Sequence, residues 1–246
     1  MTTDEVYQWY RENELDPWDF HCPHLPECSA EASDDEFVTA TPPTIGERYE
    51  EGTIPRLLVI SSEAASDNGL PQKGDGFTTS GIDPRAHDHP GGKHWSETYR
   101  IVLEIQRTFD PELSLEQARC CFAHERAVKC TASKDDSSES SDTLFQNCRG
   151  FIPDQLTVYR PDIILTQGRR AQWAVRGGDY LSMDDWRSCG REGHDCEYRV
   201  IKVSDELQPL WIRTYHPTSR PQYYPNYRDG YFECYPEVVA DHLEDV

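Results

Sequence analysis

Hydrophobic and polar positions fall into two alternating patterns along the chain. Residues 56–61 (RLLVIS), 162–166 (DIILT), 199–203 (RVIKV) and 210–215 (LWIRTY) are short, mostly apolar runs. Runs of this kind suit strands buried on both faces of a sheet. Residues 122–130 (FAHERAVKC) predict one more strand. Between the runs the apolar spacing is helical: 6–13, 94–109 (HWSETYRIVLEIQRTF), 144–158 with an interruption at Pro153, and 168–175. A short helix is expected over 114–120, with Ser114 as its N-cap. Strands that alternate with helices predict an α/β fold, a three-layer α/β/α sandwich around a central, mostly parallel sheet of four to five strands. No internal repeat is visible. One domain over 1–246 accommodates these elements. Within it, 1–30 is loop-rich, 31–55 is a polar connector, and 131–147 is an acidic, low-complexity loop expected to be mobile.

Composition narrows the picture. Hydrophobic residues make up 36% of 246 residues, enough for a core. No stretch approaches the roughly 18 apolar residues of a membrane span. The first 20 residues are acidic and aromatic and lack the basic start of a signal peptide, so a cytoplasmic protein is expected. The formal net charge is −21, and only five of the 24 basic residues are Lys. Such a surface suits solubility at high salt, or DNA mimicry. Nucleic-acid binding would need local positive charge whatever the total. Arg169, Arg170, Arg213, Arg220 and Arg228 are the candidates for a basic face. Nine Cys in a reducing compartment point to metal or cluster ligation for some of them.

In open α/β sheets, ligands sit at the carboxyl ends of the strands. Glu63 follows the first strand, Lys129 and Cys130 end the second, Gln167 ends the third and His216 follows the last. A carboxylate and an imidazole at two strand ends form a workable acid–base pair.

Six short motifs in register add to this. They are Ser62-Glu63-Ala64-Ala65-Ser66 after the first strand, 74–81 (GDGFTTSG), 126–130 (RAVKC), Cys148, 161–168 (PDIILTQG), and Tyr215-His216-Pro217-Thr218. Together they resemble the uracil-DNA glycosylase superfamily, nearest its iron–sulfur families, over about residues 20–225. The resemblance implies a DNA N-glycosylase, monomeric and without membrane contact, that extrudes a base from the duplex. Glu63 would orient water or stabilise the sugar cation, and His216 would donate to the departing base. Phe77, Arg126 and Ala64 would line the base pocket. Thr218, Ser219, Arg220, Gln167 and Arg169 would contact DNA, with Tyr223 and Tyr224 as a wedge. Cys22, Cys28, Cys130 and Cys148 match four thiolate ligands of a 4Fe–4S cluster. The cluster would pin the 1–30 segment and the 131–147 loop to the sheet edge. A zinc site using His21 or His24 is the alternative.

The chain departs from this family at informative places. Five residues separate Cys22 from Cys28 where the family has two. The family's uracil-reading Asn is replaced by Arg126. Asn can accept from uracil N3–H and donate to O4, whereas Arg can only donate. The first motif has Ser62, Ala65 and Ser66 where Gly, Pro and Gly are usual, and 81–93, with His87 and His89, looks enlarged. A remodelled pocket for a modified pyrimidine is therefore expected, for instance a glucosylated hydroxymethylcytosine of phage DNA, in an anti-phage role. A uracil repair glycosylase is the alternative, and capture of DNA without turnover is a second. Cys120, Cys121 and Cys234 are expected to be ordinary thiols.

Overall fold

In the computed structural model, residues 3–16, 19–31, 37–39, 43–62, 93–132, 142–177, 182–188, 197–217 and 227–243 are described. The chain order begins with α1 (Thr3–Glu12), α2 (Leu25–Glu31), β1 (Phe37–Thr39), β2 (Thr44–Ile45) and β3 (Leu57–Ser61). Then come α3 (Lys93–Gln106), α4 (Leu115–Arg119), β4 (Phe122–Arg126), β5 (Cys130–Ala132) and α5 (Asp142–Cys148). A 3-10 turn (Arg149–Phe151) leads to α6 (Ile152–Tyr159), β6 (Ile163–Gln167), α7 (Arg169–Arg176), β7 (Ser182–Met183) and β8 (Arg187–Ser188). The chain continues with β9 (Glu197–Lys202), β10 (Leu210–Thr214) and α8 (Tyr227–Leu243).

The main sheet runs β2–β4–β3–β6–β10–β9–β7, with β8 beside β9. Its centre is the expected parallel set: β4 on β3, β3 on β6 and β6 on β10. Antiparallel strands flank it on both sides, β2 on β4 and β9 on β10. The sheet is thus wider and more mixed than the sequence pattern implied. Its starting edge is held by Arg56, which forks onto Asp162 through Nε at 3.1 Å and a terminal nitrogen at 2.9 Å.

Alternation along the strands sorts the core into two layers. Leu57 and Val59 of β3, Ile163 and Leu165 of β6, and Leu210 and Ile212 of β10 pack under α3 and α8. Leu58, Ile60, Ile164 and Trp211 face the other way, toward α1, α5, α6 and α7. This is a three-layer α/β/α sandwich. The buried indole of Trp211 is satisfied by donating to Thr166 Oγ1 at 2.9 Å, as a polar tip in a core requires.

Several elements differ from the sequence reading for identifiable reasons. The expected strand over 122–130 ends at Arg126, and β5 then pairs with β1 instead of the main sheet. The helix break falls on the 3-10 turn Arg149–Phe151, not at Pro153, because Pro153 occupies the first turn of α6, where a missing N–H costs nothing. Ser114 caps α4 as expected, and Gln117 completes a capping box. Helices α2 and α8 were not foreseen. Cys120 and Cys121 are free and buried, but Cys234 is disulfide-bonded rather than an ordinary thiol. Among the described residues, no helix is long and apolar enough to cross a membrane.

Candidate active site at the strand switch point

Numbered by appearance, the parallel strands lie in the order two, one, three, four. The chain goes from β3 outward to β4, then returns past β3 to β6. The carboxyl ends of β3 and β6 therefore form the switch point at which such sheets open a crevice. Gly168 sits there with φ +89°. A Cβ on Gly168 would stand 3.3 Å from the His216 Cβ and 3.7 Å from the Ser62 hydroxyl oxygen. Glycine thus supplies both the left-handed backbone and the clearance that let the end of β10 and the end of β3 meet. His216 and Ser62, the residue before Glu63 in sequence, are brought to one point. Glu63, Ala64, Phe77, Thr218, Ser219, Arg220, Tyr223 and Tyr224 lie outside the described residues, as do His87 and His89.

Two further imidazoles, absent from the sequence reading, continue from His216: one beside it and one beyond. The His94 ring at the start of α3 is 5.2 Å from that of His216 and 6.5 Å from that of His124 on β4. Trp95 packs against His124 at 4.5 Å and stacks with Tyr99 at 5.6 Å. A hydrogen-bond chain fixes the floor. Ser61 gives its hydroxyl proton to Gln167 Oε1 at 3.1 Å, so His124 Nε2, at 2.7 Å, donates to the Ser61 oxygen. Gln167 Nε2 donates to Thr98 Oγ1 at 2.9 Å, and Thr98 donates to the His94 carbonyl at 2.8 Å. Gln167, expected at the DNA surface, is fully buried. Its amide is engaged by Ser61 and Thr98, so it shapes the floor and does not reach outward.

Burial keeps two of these imidazoles neutral. Burial, then His216, then Arg126 lower the His94 pKa to about 3. Burial also lowers that of His216. Both rings are uncharged at neutral pH and can donate a hydrogen bond without carrying a positive charge. Arg126 ends β4 opposite Ser61 in the ladder, within electrostatic reach of His94.

The next residue back along β4 projects to the other layer. Glu125 is 3% exposed and Lys129 1% exposed, and they pair at 2.8 Å. Glu125 also accepts from Tyr10 at 2.6 Å, Tyr159 at 2.9 Å, Gln155 at 3.1 Å and the Arg126 backbone N–H at 2.7 Å. Burial and then this carboxylate hold both phenols protonated, which suits their role as donors. Tyr10 lies on α1 and Tyr159 on α6, so the carboxylate fastens the amino-terminal segment and the α6 layer to β4.

The four cysteines lie close to this fastening. Cys22, Cys28, Cys130 and Cys148 are all free and buried. Burial raises the Cys22 and Cys130 thiols and pushes Cys148 up to about 12. The other cysteines of the set contribute to each of these shifts, so the four lie within electrostatic reach of one another. The Asn147 amide approaches Cys28 Sγ at 3.4 Å, and the Lys129 N–H approaches Cys148 Sγ at the same distance. Buried thiols with N–H donors on two sulfurs fit a cluster site in their chemistry. Among the described residues, no three His, Cys, Asp or Glu groups are arranged to hold a metal ion. His21, a candidate ligand in the zinc alternative, bonds the exposed Asp19, and His24 packs on Phe151.

Arg169, expected to touch DNA, is exposed at the start of α7, where it lines a groove with Arg170 and Arg213. Arg220 lies outside the described residues, as does the side chain of Arg228. No protein-family model matches this chain, and no curated protein matches it.

Proposed function

We propose that this protein is a DNA glycosylase that cleaves the N-glycosidic bond of an extruded, modified pyrimidine. The observation that carries the reading is the meeting of His216 and Ser62 over Gly168 at the switch point. Cleavage develops negative charge on the base and positive charge on the sugar. His216, neutral and preorganised, donates to the base as its charge grows. One such donor is worth roughly 10²–10³ in rate. Glu63, next to Ser62 in sequence, orients the attacking water. Arg126 supplies only donors and favours a base edge rich in acceptors, or an appended group with oxygens. Glucosylated hydroxymethylcytosine of phage DNA has this character, which fits a cytoplasmic anti-phage role.

Cys22, Cys28, Cys130 and Cys148 would hold a 4Fe–4S cluster. When bound, it would act as a structural cross-link between the amino-terminal segment, β5 and α5. Purified protein is expected to carry about four iron and four acid-labile sulfide per chain. One zinc and no sulfide would overturn the cluster.

Activity is tested on uracil-DNA, hydroxymethylcytosine-DNA and glucosylated phage DNA, with Glu63→Ala and His216→Ala beside the unaltered protein. Base release from modified DNA is expected, lost in both variants with the cluster intact. Release of uracil at repair-like rates would replace the modified-base reading with uracil repair. No release from any substrate would sink the glycosylase. Capture is a second reading, which His94 favours: an uncharged imidazole 5.2 Å from His216 has a nucleophilic nitrogen. A conjugate stable on a denaturing gel, absent in His94→Ala, would establish it.

A further inference from the structure

The protein carries a net charge of −21, yet one face gathers arginines. Between α5 and α7 lies a groove of about 540 Å³, lined by Arg169, Arg170, Arg176 and Arg213. Phe145 and Trp173 are also in its wall. Arg170 and Arg213 are partly compensated, by Asp142 at 3.6 Å and Glu197 at 2.5 Å. Arg169 and Arg176 are exposed, and neither has a carboxylate partner among the described residues.

Around the groove, guanidinium groups lie on aromatic rings. Arg149 lies 4.6 Å from the Trp173 ring, Arg170 4.9 Å from Phe145, and Arg213 4.8 Å from Trp186. The Gln172 side-chain oxygen accepts twice from Arg213, at 2.9 and 2.8 Å, which fixes that guanidinium. Arg199 sits 3.8 Å over Trp186, and burial, then Arg176 and Arg213, depress its pKa. With four arginines in its lining and carboxylate partners for only two of them among the described residues, the groove keeps positive charge available to an anion.

We propose that this groove seats the sugar–phosphate backbone of a nucleic acid. Arg169, Arg170 and Arg176 of α7 and Arg213 of β10 offer it several cations that phosphates can contact. One of these arginines, Arg169, directly follows Gly168 in the chain, the residue against which His216 packs. The acidic remainder of the surface does not forbid this. At about 0.1 M salt, charges more than roughly 10 Å away are largely screened, while contacts within the groove persist. The groove rests on the glycosylase reading only for naming the polymer as DNA.

The test is fluorescence anisotropy of the full chain with a labelled duplex and with the same strand single, over a range of salt. Each lost phosphate contact lowers the slope of log affinity against log salt by about 0.9 for duplex and 0.7 for single strand. The double variant Arg169→Ala/Arg176→Ala is expected to flatten the duplex slope by nearly 2 and to weaken binding roughly tenfold at low salt. Arg169→Lys/Arg176→Lys retains the slope, which separates lost charge from lost folding. An alanine variant with the original slope and affinity overturns the proposal. So does full displacement of DNA by micromolar inorganic pyrophosphate, which would mark a small-anion pocket. If the slope falls as expected but no base is released from any substrate, the groove stands and the glycosylase reading fails.

Discussion

Residues 124 and 125 of β4 are neighbours in the chain and opposites in function. Glu125 enters a layer where its carboxylate meets Lys129, Tyr10, Tyr159, Gln155 and a backbone N–H, all between 2.6 and 3.1 Å. His124 enters the other layer, where it, His94, Ser61 and Gln167 meet through contacts of 2.7 to 3.4 Å and Trp95 packs on His124 at 4.5 Å. The first cluster is charged and closed, and its acceptor is saturated. In the second, burial keeps His94 uncharged at neutral pH, and the cluster lies at the carboxyl ends of β3 and β6. A buried charge surrounded by donors acts as a fastening, whereas neutral titratable rings at a strand end remain able to receive a ligand.

The largest expected effect is on the fastening. Glu125→Gln keeps the shape but leaves the Lys129 ammonium buried without a counter-charge. Breaking a buried pair in this way costs about 3–5 kcal/mol. Urea unfolding at pH 7 should show a loss of that size. A loss below about 1 kcal/mol would mean that water reaches the pair.

The imidazole side should respond to acid. His94 binds its proton near pH 3 when folded and near its ordinary 6.5 when unfolded. Between these values the unfolded chain holds more protons, so stability falls as pH drops, by about 3 kcal/mol at pH 4 from this ring. His94→Asn should remove that share, giving an acid-unfolding midpoint lower than that of the unaltered protein. Equal midpoints would contradict the burial of the ring.

Gly168→Ala should have the smallest effect on stability, about 1–2 kcal/mol for a side chain at positive φ. It sharpens the comparison because its Cβ presses on His216 and leaves Glu125 untouched. Base release should fall more than stability predicts, while Tyr10 and Tyr159 keep their fluorescence.

The parallel core was legible because 56–61, 162–166 and 210–215 are apolar enough to be buried on both faces. The extent of β4 was not. Ala127 and Val128 still donate to the carbonyls of Ser61 and Ser62, so alternation continues past the end of the strand. Helix α8 was hidden because Gly230 and Pro236 are poor helix formers within its span, although Cys234, Tyr235, Val238 and Val239 are buried. His216 was legible from its place after a strand and from its motif. His94 and His124 were not, because nothing local to either shows that α3 carries one ring back over the other. The signal that existed was a polar residue, His124, alternating inward in a buried strand. The arginines of the groove were all visible in the sequence, but only the folding of α7 against α5 and β10 gives them a common face.

The ladder of β4 against β3 also sets a penalty on misalignment. A one-residue slip would turn Glu125 toward Trp95 and Tyr99, far from the phenols and the ammonium that now satisfy it. It would turn His124 into a nest of donors with little for them to bind. Desolvating an unpaired carboxylate is among the most costly errors a strand can make. The single charge at position 125 thus penalises a one-residue slip and favours the alignment that also brings His124 beside Ser61.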